Sequence, residues 1–282
     1  MFPRAKKSFG QNFLADPTVL AKIVAAAEIQ PGETVLEIGP GTGVLTQALL
    51  DTGAKVVAVE ADHDLIPALR ETFGDRITLI DGDVLTTPYP LPPTPYKLVA
   101  NIPYNITSDV LHRFLTAEPR PIHMVLMVQR EVADRITAAP PDMGLLSVVC
   151  QMYADVRKVA NVPRGAFRPS PKVDSAVVRL DVRSGDRRRG TPDRGPERSE
   201  DTQGGGGAGQ DPTVHPEEVI ALAKAGFSRP RKQLHGNLVA AGYGNSEEIK
   251  QKLSSLGLDP KARAENLRVD DWMALAQALS VL

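Results

Sequence analysis

Apolar residues recur along this chain with two alternating periods. Val19, Leu20, Ile23, Val24 and Ala27 repeat at the spacing of one helical face. They follow Asp16-Pro17, an N-cap carboxylate ahead of proline at the first helical position. The next run, 34–38, is short and apolar and predicts a buried strand, followed by a glycine-rich turn and a helix over 44–50. Strand-like runs over 55–59, 77–80, 97–100 and 123–128 then alternate with helical stretches over 62–71, 107–115 and 130–137. Strand and helix in turn predict a parallel, doubly wound α/β sheet. The stretch 145–153 suits helix or strand. Residues 173–182 alternate and are β-branched, which predicts a late strand, with antiparallel pairing open to it. Between these two stretches, 166–172 is a proline-stiffened loop carrying one aromatic, Phe167.

The pattern breaks at Ser184. From there to Gln210 the only apolar side chains larger than alanine are two prolines, and four consecutive glycines, 204–207, lie near the end of the run. Such a segment cannot bury enough surface to order itself, so a flexible linker or insertion is expected over 184–214. Beyond His215-Pro216, amphipathic stretches over 217–227, 231–241, 247–256 and 270–279 predict short helices. Asn245 with Glu248 forms a capping-box start, and Trp272 anchors the last helix. The expected organisation is a sheet domain over 1–183, the linker over 184–214, and a small all-helical domain over 215–282.

Composition narrows the class. The 282 residues are 42% apolar and 24% charged, as in ordinary globular proteins, and hold no apolar run long enough to span a bilayer. The basic N-terminus lacks an apolar segment behind it, so no secretory signal is expected. Cys150 is the single cysteine, which excludes an internal disulfide and a zinc ribbon and fits a cytoplasmic protein. No metal site is expected, because the five histidines show no ligand spacing. A net charge of −1 gives no global nucleic-acid signature, so a basic surface would have to be local.

The candidate chemistry gathers at predicted strand ends. Gly39, Gly41 and Gly43 lie in a turn between strand and helix, where glycine lets backbone approach a ligand closely. Glu60 ends the second strand of the alternation, where a carboxylate can hold ribose hydroxyls, and Asp83 follows the third. The fourth strand leads into Asn101-Ile102-Pro103-Tyr104. Pro103 biases Ile102 toward extended geometry, so the Asn101 side-chain oxygen and the Ile102 carbonyl form two acceptors beside an aromatic face. That set suits an adenosine derivative across the strand ends and a flat heterocycle carrying an amino group.

Six segments carry a family resemblance: KSFGQNFL over 7–14, EIGPG over 37–41, NIPYNI over 101–106, AFRPSPKVDSAVV over 166–178, FSRPRKQL over 227–234 and DPKARAENL over 259–267. Together they resemble the small-subunit rRNA adenine N6,N6-dimethyltransferases. The resemblance implies a Rossmann-like methyltransferase sheet with a small C-terminal all-helical RNA-binding domain. It implies an S-adenosylmethionine donor, which leaves as S-adenosylhomocysteine, and two adjacent adenines near the 3′ end of 16S rRNA as acceptors. By the family motifs, the cofactor positions fall on Asn12, Leu14, Gly39, Gly41, Glu60, Asp83 and Asn101. Those at the target base fall on Asn101, Ile102, Tyr104 and Phe167, with both aromatics stacking on the base.

A monomer acting on the 30S subunit or its precursor is expected, without membrane or DNA. Its RNA contacts are sought at Arg229, Arg231 and Lys232, read as a helix start, and at Arg4, Lys6 and Lys7. The nearest rival is the 23S rRNA adenine dimethyltransferase of the erythromycin-resistance type. The Arg263–Leu267 stretch RAENL and the loop FRPSPKVDS favour the small-subunit enzyme. A non-catalytic assembly factor on the same fold would be expected to show degraded motifs, and these are intact.

Overall fold

The computed structural model describes residues 6, 10–87, 92, 95–183 and 215–279. The expectations for Arg4, Lys7 and the 184–214 linker lie outside the described residues. Two compact units emerge. One comprises the described chain up to Thr137 together with 153–183, the other 138–152 with 215–279.

The strands of the first unit are β1 (Phe13–Leu14), β2 (Thr34–Ile38), β3 (Lys55–Glu60), β4 (Ile77–Asp81), β5 (Tyr96–Asn101), β6 (His123–Gln129), β7 (Ala154–Val162), β8 (Phe167–Arg168) and β9 (Ser175–Val182). Its helices are α1 (Pro17–Ala27), α2 (Val44–Asp51), α3 (Ile66–Phe73), α4 (Thr107–Thr116) and α5 (Arg130–Ile136). Seven strands form one sheet in the order β4-β3-β2-β5-β6-β9-β7. From β4 through β6 neighbours run parallel, while β9 pairs antiparallel with both β6 and β7. Central strands covered on both faces must be apolar throughout, and Val35, Leu36, Leu98, Val99 and Ala100 are fully buried. The alternation read from the sequence is therefore this sheet, with the late strand antiparallel.

α1 starts as expected: the Asp16 carboxylate accepts from Thr18 N at 2.8 Å. It stops at Glu28, which adopts φ +49°. Two buried cations from the sheet satisfy its last carbonyls. Arg179 Nη1 donates to Ala26 O at 2.8 Å, and Lys97 Nζ donates to Glu28 O at 2.6 Å. Positive charge at a helix C-terminus complements the helix dipole.

Three elements differ from the sequence expectation. The helix sought over 62–71 begins only at Ile66, because Asp62 is held in a turn by Lys6 and Gln11. β7 goes unmarked in the sequence because it is the sheet's edge strand. Its exposed Asp155 and Lys158 leave no clean apolar alternation. Finally, β1 pairs antiparallel with β8, Leu14 opposite Phe167, so two remote segments meet in a two-stranded ribbon.

The second unit contains α6 (Leu145–Tyr153) up to Met152, followed by α7 (Pro216–Gly226), α8 (Leu234–Ala240), α9 (Ser246–Ser255) and α10 (Val269–Leu279). The stretch 145–153 is thus helical; at its start, Ser147 Oγ accepts from Gly144 N at 3.0 Å. Trp272 is fully buried and explains one glycine: a Cβ on Gly226 would lie 2.4 Å from the Trp272 ring. The capping box at Asn245 forms, its side chain accepting from Glu248 N at 3.0 Å and its N–H donating to Glu248 Oε2 at 3.0 Å.

Candidate active site

The strand order of the first unit reverses between β2 and β5. In open α/β sheets, ligands bind at the carboxyl ends of the strands at such a switch point. A cavity lies there, lined by Gly39 and Gly41 after β2, Glu60 at the end of β3, Asp83 after β4, and Asn101, Ile102 and Tyr104 at the end of β5. Asn12 and Leu14 line it from β1 and the residue before it. All seven cofactor candidates and three of the four base candidates therefore share one cavity within one unit.

The turn after β2 needs its glycines. Gly39, Gly41 and Gly43 have φ of +65°, +59° and +77°, in the left-handed region that side chains resist. Space adds a second constraint at Gly43, where a Cβ would approach the Phe73 ring to 2.4 Å. Glu60 then staples the turn to the next strand. Its Oε2 accepts from Gly41 N at 3.0 Å and its Oε1 from Asp62 N at 2.9 Å. Two bonds leave lone pairs on both oxygens for a further donor. Burial raises the Glu60 carboxyl above its ordinary range, against the opposing hydrogen bonds of Asp62 N and Gly41 N. Asp83 Oδ1 accepts from Leu85 N at 2.8 Å, which fixes the carboxylate at the rim.

At the other end of the cavity, Asn101 Nδ2 donates to Asn12 O at 3.1 Å. That bond uses one of the amide's two N–H groups on the N-terminal segment and fixes which atom is Nδ2, leaving Oδ1 as acceptor. The N-terminal segment is itself latched. Lys6 Nζ lies 2.6 Å from Asp62 Oδ1 and 2.5 Å from Asp64 Oδ2, and Gln11 Nε2 donates to Asp62 Oδ2 at 2.7 Å. These ion pairs correct the expectation for Lys6, whose ammonium is committed to two carboxylates rather than offered to RNA.

Phe167 is not brought to the cavity. Its ring is fully buried in the hydrophobic core, in the cluster that also holds the cavity-lining Leu14, and β8 joins the site's frame through its pairing with β1. The aromatic of the proline-stiffened loop is turned inward, into the apolar cluster that also holds Leu14 and Val177.

Glu37 was missed as a site residue, although it opens the EIGPG segment as a lone acid inside a buried strand. It lines the cavity, accepts from Thr46 Oγ1 at 2.7 Å through Oε2, and has no hydrogen-bond partner at its buried Oε1 among the described residues. Burial pushes its carboxyl up to about 8, with the Glu60 charge adding and the Thr46 hydrogen bond opposing. The unfolded chain loses this proton near the ordinary value of 4.5, whereas the folded protein keeps it until about 8. Stability contributed by this group is therefore full below the unfolded value and is lost as pH rises through the folded one. Glu37→Gln, neutral throughout, is expected to flatten the decline in stability between about pH 5 and about pH 8. Urea unfolding at stepped pH measures this, and an unchanged slope would refute it.

In the second unit, Arg229, Arg231 and Lys232 are exposed, but they sit on a turn rather than on the start of a helix, since α8 begins at Leu234. Pro230 has no N–H and restrains Arg229, so the chain closes a turn instead, with Lys232 N donating to Arg229 O at 2.9 Å. The buried Asn237 fastens that turn through Nδ2, which donates to Gly226 O at 2.5 Å and Arg229 O at 3.1 Å.

Comparison with known proteins identifies the family. Residues 3–190 match the family model described as ribosomal RNA adenine dimethylase. A protein of Dehalococcoides mccartyi named ribosomal RNA small subunit methyltransferase A is 42% identical over 278 residues, covering 96% of this chain and 87% of its own. A protein of the same name from Thermosynechococcus vestitus is 42% identical over 287 residues, covering 99% and 98%. Among solved structures, the 23S rRNA methyltransferase ErmE superposes with a TM-score of 0.71 at 29% identity, over 95% of this chain and 100% of that one. A dimethyladenosine transferase from Plasmodium falciparum gives 0.70 at 26% identity, over 93% and 95%. The two relatives and the two solved structures match over both the sheet and the C-terminal helices, whereas the family model ends at residue 190. The chain belongs to the ribosomal RNA adenine dimethylase family.

Proposed function

We propose that this protein dimethylates N6 of two adjacent adenines near the 3′ end of 16S rRNA, within the 30S subunit or its precursor, using S-adenosylmethionine. It acts as a cytoplasmic monomer that contributes to small-subunit biogenesis. The first unit serves as the methyltransferase domain and the second, which takes in 138–152 as well as the C-terminal helices, as the RNA-binding domain. The observation that carries the reading is the single cavity joining the glycine turn, Glu60 and Asp83 to Asn101, Ile102 and Tyr104. The small-subunit target is supported by two relatives of that name at 42% identity, against 29% for the 23S enzyme.

The residues present fit the donor. Glu60 suits the ribose hydroxyls and Asp83 the adenine amino group, while the glycine turn lets backbone approach the ligand. Glu37 Oε1, buried and without a hydrogen-bond partner among the described residues, leaves an unfilled polar position at the cavity wall that a ligand's polar group could meet. When bound, S-adenosylmethionine supplies an electrophilic sulfonium methyl. The chain's own work is to prepare the acceptor amine, whose lone pair is otherwise delocalised into the purine. Asn101 Oδ1 and the Ile102 carbonyl accept its two N–H groups and favour a pyramidal nitrogen with the lone pair turned toward the methyl. Catalysis of this kind rests on orientation and electrostatics, which can supply several kcal/mol. Tyr104 stacks on the base, which must leave its helix or loop stack to reach the pocket. Phe167 supports β1 from behind rather than facing the base.

Glu60→Ala is expected to weaken S-adenosylmethionine binding by roughly 1.5–3 kcal/mol, the worth of a hydrogen bond to a charged group. Calorimetry on the folded variant decides this, and equal affinity would remove Glu60 from the ribose site. The function itself is tested by incubating the protein and labelled S-adenosylmethionine with unmethylated small or large subunits. Label in N6,N6-dimethyladenosine at two neighbouring 16S positions is the expected result. Label confined to 23S rRNA, or none on either subunit, would overturn the reading.

A further inference from the structure

Tyr104 is the aromatic at the base end of the cavity, and its ring is only half-buried. An aromatic platform on a short turn has two side-chain torsions to lose before it can stack productively. Here the ring is tethered at its far end, Tyr104 Oη lying 2.6 Å from Ser175 Oγ. Ser175 is fully buried and opens β9, with Gln129 of β6 and Val162 of β7 opposite it. A hydroxyl pinned between two paired strands is a rigid anchor. Burial, against the opposing Ser175 hydrogen bond, raises the Tyr104 phenol above its ordinary value, so the hydroxyl keeps its proton for the bond.

The neighbouring residue is braced too. Asp174 O accepts from Arg130 N at 3.0 Å, and its carboxylate accepts from Arg164 N at 3.1 Å and Arg130 Nη1 at 3.3 Å. The segment ahead of β9 is thereby tied to the start of α5 and to the loop after β7. Nothing about Ser175 itself reaches the cavity lining, so its reach is through Tyr104 alone.

We propose that Ser175 is a positioning residue for methyl transfer, holding the Tyr104 ring in the plane that receives the target adenine. This rests on the methyltransferase reading above. Loss of the tether lets the ring rotate between stacked and unstacked positions, so the amine spends less time aligned with the two acceptors. S-Adenosylmethionine binding, built from other strand ends, is untouched.

The test is a double-mutant cycle on the full chain, using unmethylated 30S subunits and labelled S-adenosylmethionine in single turnover. Ser175→Ala and Tyr104→Phe should each lower the rate roughly three- to tenfold, the worth of one hydrogen bond. The double variant should be no slower than the slower single one, because both remove the same bond. Ser175→Thr, which keeps the hydroxyl, should recover most of the rate. If Ser175 served only packing, its alanine variant would lower the rate equally in the Tyr104→Phe background, which would overturn the proposal. Should Ser175→Ala fail to fold, Tyr104→Phe alone probes the bond from the cavity side, and a wild-type rate would overturn it. A wild-type protein that transfers no methyl to 30S subunits would instead sink the functional reading, so the two failures are distinguishable.

Discussion

Asn101→Ala is expected to fold, to bind S-adenosylmethionine with little change, and to lose on the order of 10²- to 10³-fold in single-turnover methyl transfer. The size follows from what Asn101 does under the proposed mechanism. It supplies one of two acceptors that pyramidalise an otherwise delocalised amine, and removal of one preorganised polar partner at a reacting centre costs that much. A smaller second effect comes from its donor side. The bond from Asn101 Nδ2 to Asn12 O at 3.1 Å ties the end of β5 to the N-terminal segment. Cofactor affinity should fall by no more than the worth of this one neutral bond, about 0.5–1.5 kcal/mol. Asn101→Asp separates the two roles, since it keeps an acceptor and removes the donor. It should retain more transfer than alanine if orientation of the amine dominates. A near wild-type single-turnover rate for Asn101→Ala would exclude the role.

What the sequence made legible follows from which interactions are local. β2, β3 and β5 could be read because strands buried on both faces are written as continuous apolar runs. The residues that cap those strands, Glu60, Asp83 and Asn101, are adjacent in sequence to the strands that aim them. Interactions across the chain left weaker traces. The β1–β8 ribbon joins residues some 150 positions apart through two-residue strands, too short for any period to register. Asp62 looked like part of a helix because its partners, Lys6 and Gln11, lie far upstream. Phe167 carried the right residue type in the right motif, yet side-chain direction in a loop depends on tertiary packing, and the core claims the ring. Ser175 closes the FRPSPKVDS segment, but nothing in its residue type or spacing said what it would touch, because its partner Tyr104 lies 71 positions upstream.

Replacing Arg229, Arg231 and Lys232 together by alanine is expected to weaken 30S binding strongly and to flatten its salt dependence. Affinity from phosphate contacts comes with counterion release, so each lost contact lowers the slope of log K against log salt by about 0.7–0.9. Three contacts amount to a change of roughly 2 to 3 in that slope. The turn carrying these residues suits the task. It is exposed from Ser228 to Gln233, whereas Lys6, the alternative cation beside the cavity, is paired with Asp62 and Asp64. Asn237 holds the turn from inside by two backbone carbonyls, which reduces the ordering it must undergo on binding. The triple variant leaves the S-adenosylmethionine site unaltered, because every residue of that cavity belongs to the first unit. Filter binding of 30S subunits across a salt series reads the slope, and a separate titration reads cofactor affinity. An unchanged slope would assign the cluster to a solvated turn. A loss of cofactor affinity would mean that the substitutions damage the fold, and Arg231→Ala alone, on the exposed tip, would then carry the test with an expected slope change of about 0.7–0.9.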